Sequence, residues 1–326
     1  MHAQGLQEFR PCTEMPGPPI VFSCTQLDTT REINTGRIST ARRRCDKKTS
    51  QEMHAALRYR GCIADARRVI VKIGSRVLVQ KTGRPEVRRI RSLVNDLARL
   101  NHDGHEIVIV TSGAIGAGMQ ALGMRARPTD LPDLQMAAAV GQSRLMSQYD
   151  ELFAARRCKV GQLLLTHDDF HHKIRMTNMH RVIENLLRNR VIPIVNENDV
   201  VADEEIKADV KKLGDNDLLA SLVTRLTRAD LLIILTTVDG FRVPDKSGKT
   251  RRVSYLESIS RKVLALAGGN GSHLSTGGMS TKLRAAQTVA RAGAGVVIAD
   301  GRRPGIIASV MRGEDTGTLV LPSVAS

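Results

Sequence analysis

The sequence predicts an α/β fold, a three-layer αβα sandwich with a mainly parallel central sheet. Apolar and β-branched runs of five to eight residues recur between residues 67 and 326, and such runs are typical of buried strands. Segments with helical spacing separate them, and strands that alternate with helices form parallel sheets covered on both faces. Polar or glycine-rich segments follow several runs, and sites in parallel sheets lie at these carboxyl ends.

Six strands are predicted from the apolar runs, at residues 69–73, 106–110, 159–166, 191–195, 230–236 and 294–300. The clearest helix covers 87–104, where apolar residues recur at helical spacing up to Gly104. Glycine is common just past a helix end, which supports that boundary. A second long helix is predicted at about 132–157, and shorter helical segments separate the remaining strands.

The first 66 residues differ from the rest of the chain. They lack sustained periodicity and contain the segments PGPP and ARRRCDKKTS. A segment that buries little apolar surface stays disordered, so we predict a disordered N-terminal extension over 1–66 and one domain over 67–326. Two alternatives stay open: an organelle transit peptide, against which the acidic residues count, and a natural start near Met53.

The chain is strongly basic, with a formal net charge of +16. Residues 1–66 hold 10 Lys and Arg against 7 Asp and Glu, whereas residues 67–326 hold 39 against 26. The excess therefore lies in the predicted domain, where it attracts anions such as nucleotides, acidic metabolites or nucleic acid. Aromatic residues are 2% and Trp is missing, which argues against nucleic acid bound by base stacking. Contact with a duplex backbone stays open.

We expect a cytoplasmic protein that does not enter a membrane. No apolar run approaches the roughly 18 residues of a membrane-spanning helix, and the first residues do not resemble a secretory signal. The five cysteines form no C-x-x-C pair, which suits free thiols in a reducing compartment rather than a zinc site. His167 and His171 are one helical turn apart, but Thr166 and Asp169 fit a helix cap better than a metal site.

Two glycine-containing segments point to an anion. Lys72 lies inside the first apolar strand, where an ammonium needs anionic partners, and Gly74 lets a ligand approach the backbone. In STGGMSTK (275–282), Lys282 falls in the first turn of a predicted helix. A cation is unfavourable at that terminus unless an anion binds there. A snorkelling edge-strand lysine and a simple cap are the alternatives.

Two acid and amide clusters, NEND (196–199) and GDND (214–217), lie beside predicted strand or helix ends. Burying such groups costs several kcal/mol unless each finds a partner. Either cluster alone fits a helix cap, but together the clusters could converge on a substrate amine. TSGAIGAG (111–118) adds a small-residue turn before a helix. None of these segments matches the Rossmann or Walker glycine patterns.

Seven segments, taken in order, closely resemble the amino acid kinase family: VIVKIGS, TSGAIGAG, AAVGQSRLM, VIPIVNEND, GDND, LIILTTVDG and TGGMSTK. NEND, GDND and GGMSTK together are similar to the members that phosphorylate glutamate. The resemblance covers about residues 67–320. It implies transfer of the γ-phosphoryl group of ATP to the side-chain carboxylate of L-glutamate, giving γ-glutamyl phosphate in the first step of proline biosynthesis.

The resemblance also implies roles for individual residues. The catalytic residues are Lys72, Lys282 and Asp217, with Asp217 orienting the two lysines. The ATP-binding residues are Lys72, Thr236, Thr237, Thr276, Gly277, Gly278, Met279, Ser280, Thr281 and Lys282. The glutamate-binding residues are Ser112, Asp199 and Asn216. No protein ligand for a metal is assigned, and Mg²⁺ is expected to arrive with ATP.

The implied chemistry agrees with these residue types. A glutamate side-chain carboxylate ordinarily has a pKa of about 4.3 and is already ionised at neutral pH, so no general base is needed. Phosphoryl transfer then depends on alignment and on neutralising charge, which two lysines, a helix N-terminus and Mg²⁺ can supply. Expected partners are further copies of the chain and a glutamate-5-semialdehyde dehydrogenase that receives the labile acyl phosphate.

Three features depart from the family pattern. The chain ends near residue 326 without the C-terminal PUA domain of many members, and the 66-residue extension has no counterpart. The loop at 200–213 is several residues longer, which leaves proline feedback inhibition open. Two other functions remain as alternatives, a sibling carboxylate kinase and a non-catalytic protein that binds nucleotides or nucleic acid.

Overall fold

The computed structural model describes residues 59–61, 63–80, 86–201, 216–245, 248–268 and 278–323. The strands are β1 Arg68–Ile73, β2 Glu106–Val110, β3 Lys159–Leu165, β4 Val191–Glu197, β5 Leu231–Thr236, β6 Arg242–Pro244, β7 Thr250–Arg252, β8 Tyr255–Leu256, β9 Gly295–Asp300 and β10 Thr318–Val320. The helices are α1 Ser75–Leu78, α2 Val87–His102, α3 Ala114–Ala121, α4 Leu131–Ala154, α5 Lys173–Arg188, α6 Asn216–Leu226, α7 Arg261–Ala267, α8 Met279–Arg291 and α9 Ile306–Met311. Short 3₁₀ turns cover Asp168–Phe170 and Asp199–Val201.

Eight strands form one sheet in the order β3-β4-β2-β1-β5-β9-β10-β8. Every pairing in it is parallel except that of β10 with β9, and β6 and β7 form a separate antiparallel hairpin. All six predicted strands are present in the sheet. The mainly parallel sheet predicted from the sequence is therefore confirmed.

Alternation along β1 divides the core between the two faces of the sheet. Val69, Val71 and Ile73 pack with α2, α4 and α9, whereas Ile70 packs with α5, α6 and α8. These are the two outer layers of the predicted αβα sandwich. By the same alternation Lys72 belongs to the face of Ile70, so its ammonium is directed towards α6 and α8.

Helices α3 and α4 cross at two glycines. A Cβ atom at Gly118 would lie 1.7 Å from the Ala137 carbonyl oxygen, and one at Gly141 would lie 1.7 Å from the Ala114 carbonyl oxygen. Since neither position has room for a side chain, the crossing requires glycine at both. This contact fixes the height of α4 relative to the turn that precedes α3.

The folded domain begins before the predicted boundary at residue 66. Ile63 and Ala66 are buried and Arg60 is completely buried. The Arg60 guanidinium donates hydrogen bonds of 2.8–3.1 Å to four backbone carbonyls, those of Ser254, Glu314, Thr316 and Gly317. It also pairs with Asp315 at 3.2 Å. The described residues 59–61 and 63–66 therefore belong to the domain, which includes Arg60. Residues 1–58 lie outside the described residues, so their predicted disorder stays a prediction.

We expect deletion of residues 1–58 to be tolerated and deletion of residues 1–66 to destabilise the domain. The longer deletion removes the buried Arg60 guanidinium and its hydrogen bonds to four carbonyls, while Asp315 keeps Arg252 as a partner at 3.0 Å. At about 1 kcal/mol for each hydrogen bond, the loss should be about 3 kcal/mol or more of unfolding free energy. Urea denaturation of both truncated proteins and of full-length Arg60→Ala measures this loss. Arg67→Ala is the control, because the Arg67 side chain is 79% exposed and pairs with Glu106 at the surface, where such pairs contribute about 0–1 kcal/mol. Equal stability of the two truncated proteins would contradict the expectation.

Within the described residues, no helix is both long and apolar enough to cross a membrane.

Candidate active site

A buried charge cluster joins three elements at the carboxyl edge of the sheet. Lys72 comes from β1, Asp217 from the first turn of α6 and Lys282 from the first turn of α8. The Lys72 Nζ atom lies 2.6 Å from Oδ1 of Asp217, and the Lys282 Nζ atom lies 2.9 Å from Oδ2. The three residues predicted as catalytic are thus brought together in the structure.

The cluster is buried, and the two lysines favour the charged form of Asp217. Exposure is 4% for Lys72, 6% for Lys282 and 1% for Asp217. Burial alone would raise the pKa of Asp217, but Lys72 and Lys282 outweigh it and lower the pKa to about 2. Two ammonium groups and one carboxylate leave a net charge of +1, which favours an anion beside them.

A cavity of about 320 Å³ adjoins this cluster. Five residues predicted to bind ATP line it: Thr236, Thr237, Gly278, Met279 and Lys282. Ser280 and Thr281 follow in the first turn of α8, and the Thr281 hydroxyl donates to the Gly278 carbonyl at 2.9 Å. Thr276 and Gly277 lie outside the described residues.

The same cavity has lining residues that the sequence did not single out. Val238, Phe241 and Leu266 give it an apolar wall, and two arginines, Arg76 and Arg242, add cations to Lys282. An apolar wall next to cations suits a nucleotide, whose base is flat and whose phosphates are anionic. Arg76 follows Lys72 and Gly74 closely in the chain, so its place after the first strand was the signal that could have found it.

Three amide side chains beside Asp217, those of Asn216, Asn196 and Gln142, are joined by hydrogen bonds and are called the amide chain below. Asn216 donates from Nδ2 to the Thr111 carbonyl, to Ser112 Oγ at 3.2 Å and to Asn196 Oδ1 at 2.8 Å. Asn196 in turn donates from Nδ2 to Gln142 Oε1 at 2.7 Å. Ser112 and Asn216, both predicted to bind glutamate, are therefore in contact. Gln142 was missed, because its place on the sheet side of α4 depends on how the helices pack.

Asp199, the third residue predicted to bind glutamate, is 7% exposed in the 3₁₀ turn after β4. Its Oδ1 atom has no hydrogen-bond partner among the described residues. Burial raises the pKa of Asp199 to about 6, and the Arg127 charge opposes that rise only in part. Among the described residues, Asp199 accepts no hydrogen bond from Ser112 or Asn216. A buried carboxylate in this state is suited to a cationic ligand.

The segment THDDFHH caps a turn, as predicted. The backbone N–H and hydroxyl of Thr166 donate to Asp169 Oδ2 at 2.7 and 2.9 Å. Among the described residues, no group of three His, Cys, Asp or Glu side chains could hold a metal ion.

Residues 67–300 match the amino acid kinase family. The chain belongs to this family. Solved structures agree at the level of the fold: carbamate kinase from Giardia lamblia bound to AMP-PNP has a TM-score of 0.54 at 18% identity, covering 80% of this chain and 100% of that one. UMP kinase from Bacillus anthracis has a TM-score of 0.53 at 14% identity, covering 79% and 97%.

Several similar proteins belong to one branch of the family, the glutamate 5-kinases. Glutamate 5-kinase of Pelobacter propionicus is 43% identical over 258 residues, which cover 78% of this chain and 68% of the relative. Glutamate 5-kinase of Listeria welshimeri is 42% identical over 262 residues, covering 80% and 95%. That of Lactiplantibacillus plantarum is 41% identical over 256 residues, covering 78% and 96%. Within the amino acid kinase family, the chain is thus similar to glutamate 5-kinases over about four fifths of its length.

Proposed function

We propose that this protein transfers the γ-phosphoryl group of ATP to the side-chain carboxylate of L-glutamate. The proposal rests on one observation: the charge cluster shares or adjoins residues of both predicted binding regions. Lys282 belongs both to the charge cluster and to the lining of the cavity. Asn216 and Asp217 are consecutive residues, one in the amide chain and the other between the lysines. The proposed nucleotide region and the proposed substrate region therefore both adjoin the charge cluster.

The reaction needs little from the protein besides position and charge. A side-chain carboxylate oxygen of glutamate attacks the γ-phosphorus, the bond from that phosphorus to the bridging oxygen breaks, and ADP leaves with the electron pair. No proton moves, because a carboxylate with a pKa of about 4.3 is already ionised. The ammonium groups of Lys72 and Lys282 neutralise charge that shifts towards the leaving oxygen.

Mg²⁺ fits this site as a companion of the nucleotide. Both oxygens of Asp217 contact lysines, and the described residues offer no cluster of metal ligands. Mg²⁺ usually binds through substrate phosphates with few protein ligands, so ATP would hold it here. When bound, it adds positive charge beside the phosphates.

The wider setting follows from the product. An acyl phosphate hydrolyses readily in water, so the next enzyme would have to take it up quickly. We propose that a glutamate-5-semialdehyde dehydrogenase consumes it in proline biosynthesis in the cytoplasm, and that the kinase works as a homo-oligomer. Sedimentation of the pure protein tests the last point.

Hydroxylamine trapping tests the proposed reaction directly. An acyl phosphate reacts to a hydroxamate, whereas phosphate esters do not. With ATP and Mg²⁺, we expect hydroxamate from L-glutamate but not from aspartate or N-acetylglutamate. Failure of the folded protein to form any hydroxamate from glutamate would overturn the assignment.

We expect Asp199→Asn to weaken glutamate binding while stabilising the free protein. Loss of a charge-assisted hydrogen bond to the α-ammonium should raise KM for glutamate about tenfold or more, with KM for ATP unchanged. In the wild-type protein KM for glutamate should rise below about pH 6, where Asp199 takes up a proton; the variant should lack that rise.

The stability change has a defined pH window. Because the pKa of Asp199 is raised from 3.8 to about 6 on folding, its charge destabilises the folded protein above pH 6. That penalty disappears as the pH falls towards 4. Asp199→Asn should therefore melt higher than wild type at pH 8 and equally at pH 4. Asp150→Asn, an exposed position on α4, is the control, and a lower melting temperature of Asp199→Asn at pH 8 would contradict the expectation.

A further inference from the structure

The amide chain beside the charge cluster has a fixed direction. Thr111 offers a backbone carbonyl, which can only accept, so the Asn216 atom facing it must be the donor Nδ2. Asn196 then presents Oδ1 to Asn216 and Nδ2 to its other neighbour. Gln142 must accept with Oε1, and its Nε2 donor is left at the free end. One carbonyl thus decides the orientation of three amides.

At the two ends of the amide chain, two buried polar atoms have no hydrogen-bond partner among the described residues. Gln142 Nε2 is a buried donor and Asn216 Oδ1 is a buried acceptor, and neither has a hydrogen-bond partner among the described residues. Asp199 Oδ1 is a further buried acceptor of the same kind. Buried polar atoms are normally satisfied, so these atoms suit a ligand that supplies both an acceptor and a donor.

An α-amino acid supplies both an acceptor and a donor. Its α-carboxylate only accepts and its α-ammonium only donates. Asn216 is next to Asp217, where phosphoryl transfer takes place in the proposed function, whereas Gln142 lies two hydrogen bonds further along the chain. The end near Gln142 therefore serves the part of the substrate that is remote from the reacting carboxylate.

We propose that Gln142 determines specificity by donating a hydrogen bond from Nε2 to the substrate α-carboxylate, while Asp199 accepts from the α-ammonium on the same carbon. Asp199 lies in a turn that packs on α4, where Gln135 Nε2 donates to the carbonyl of the next residue, Val200, at 3.1 Å. This rests on the proposed function and deepens it, since it restricts the substrate to amino acids with a free α-carboxylate. The position of Gln142 is well defined, because its neighbour Gly141 is the residue that packs against α3 without room for a Cβ atom.

The test uses a change confined to the free end of the side chain. Gln142→Glu keeps the oxygen that accepts from Asn196 and replaces the Nε2 donor with a second oxygen. At pH 8 it should weaken glutamate binding about tenfold or more by calorimetry, as should Gln142→Met, which removes the donor without adding charge. Glutamate α-amide carries an NH₂ group that a carboxylate can accept from, so its affinity for Gln142→Glu should fall much less.

Gln148→Glu is the matched control, since it makes the same change on α4 beside a different cavity and should leave both affinities unchanged. KM for ATP should stay constant in all variants. A wild-type affinity for glutamate in both Gln142 variants, or an equal loss for glutamate and its α-amide, would overturn the role of Gln142. Such a result from a protein that still forms hydroxamate from glutamate leaves the proposed reaction standing, so the two failures can be told apart.

Discussion

Replacing Lys72 or Lys282 with methionine should lower kcat by about 10² or more, the scale of losing one preorganised electrostatic contact. Each ammonium contacts its own oxygen of Asp217, so neither lysine can replace the other. Removing one lowers the cluster charge from +1 to zero, at the place where negative charge grows during transfer. Methionine keeps most of the apolar stem, and KM for glutamate should change little.

The same substitutions should also lower the melting temperature, because Asp217 loses one of its two partners while 1% exposed. Nothing in the local sequence pattern indicated this structural role. Hydroxamate formation at saturating ATP and thermal melting measure the two effects, and Lys173→Met, an exposed position at the start of α5, is the control. A kcat within about threefold of wild type would show that the lysines are not part of the reaction centre.

Asp217→Asn should be the most destabilising single change in the site. It leaves two buried ammonium groups without a counter-charge, and breaking a buried pair by removing one partner costs about 3–5 kcal/mol. The pKa of Asp217 is lowered from 3.8 to about 2. Its contribution is therefore fully present above pH 4 and is lost as the pH falls towards 2. Urea denaturation at pH 7 measures the loss, with Asp103→Asn at an exposed position as the control.

A second readout links this loss to anion binding. ATP supplies the negative charge that the Asp217→Asn variant lacks, so it should raise the melting temperature of the variant more than that of wild type. An unchanged unfolding free energy at pH 7 would contradict the burial argument. If ATP raised the melting temperature of both proteins equally, the result would show that ATP does not bind beside the two lysines.

The sequence was informative where one residue type broke a strong local pattern. Lys72 interrupts an apolar strand and Lys282 opposes a helix dipole, so both could be predicted from positions close in the chain. Parallel strands end at one edge, which is why the residues that follow β1 and β4 could be expected to meet. The hairpin β6–β7 and the strands β8 and β10 have two or three residues each, too few to show a period.

Residues that depend on distant parts of the chain could not be predicted in this way. Gln142 lies on a long helix, and its contact with Asn196 depends on how that helix packs against the sheet and crosses α3 at Gly118 and Gly141. Arg60 stands in an aperiodic basic segment, and nothing in the sequence there distinguishes it from the other arginines. Its burial is decided by carbonyls whose positions are set by the rest of the fold.

The Arg60 contacts also have a consequence for how the protein is made. Arg60 and its partner Glu314 are separated by 254 positions, which at synthesis rates of about 5–20 residues per second is a delay of about 10–50 s. Throughout that interval Arg60 lacks the carbonyls that hold its guanidinium in the folded protein. The domain therefore cannot close until the segment around Glu314 has left the ribosome, and until then its first residues are open to proteases and chaperones.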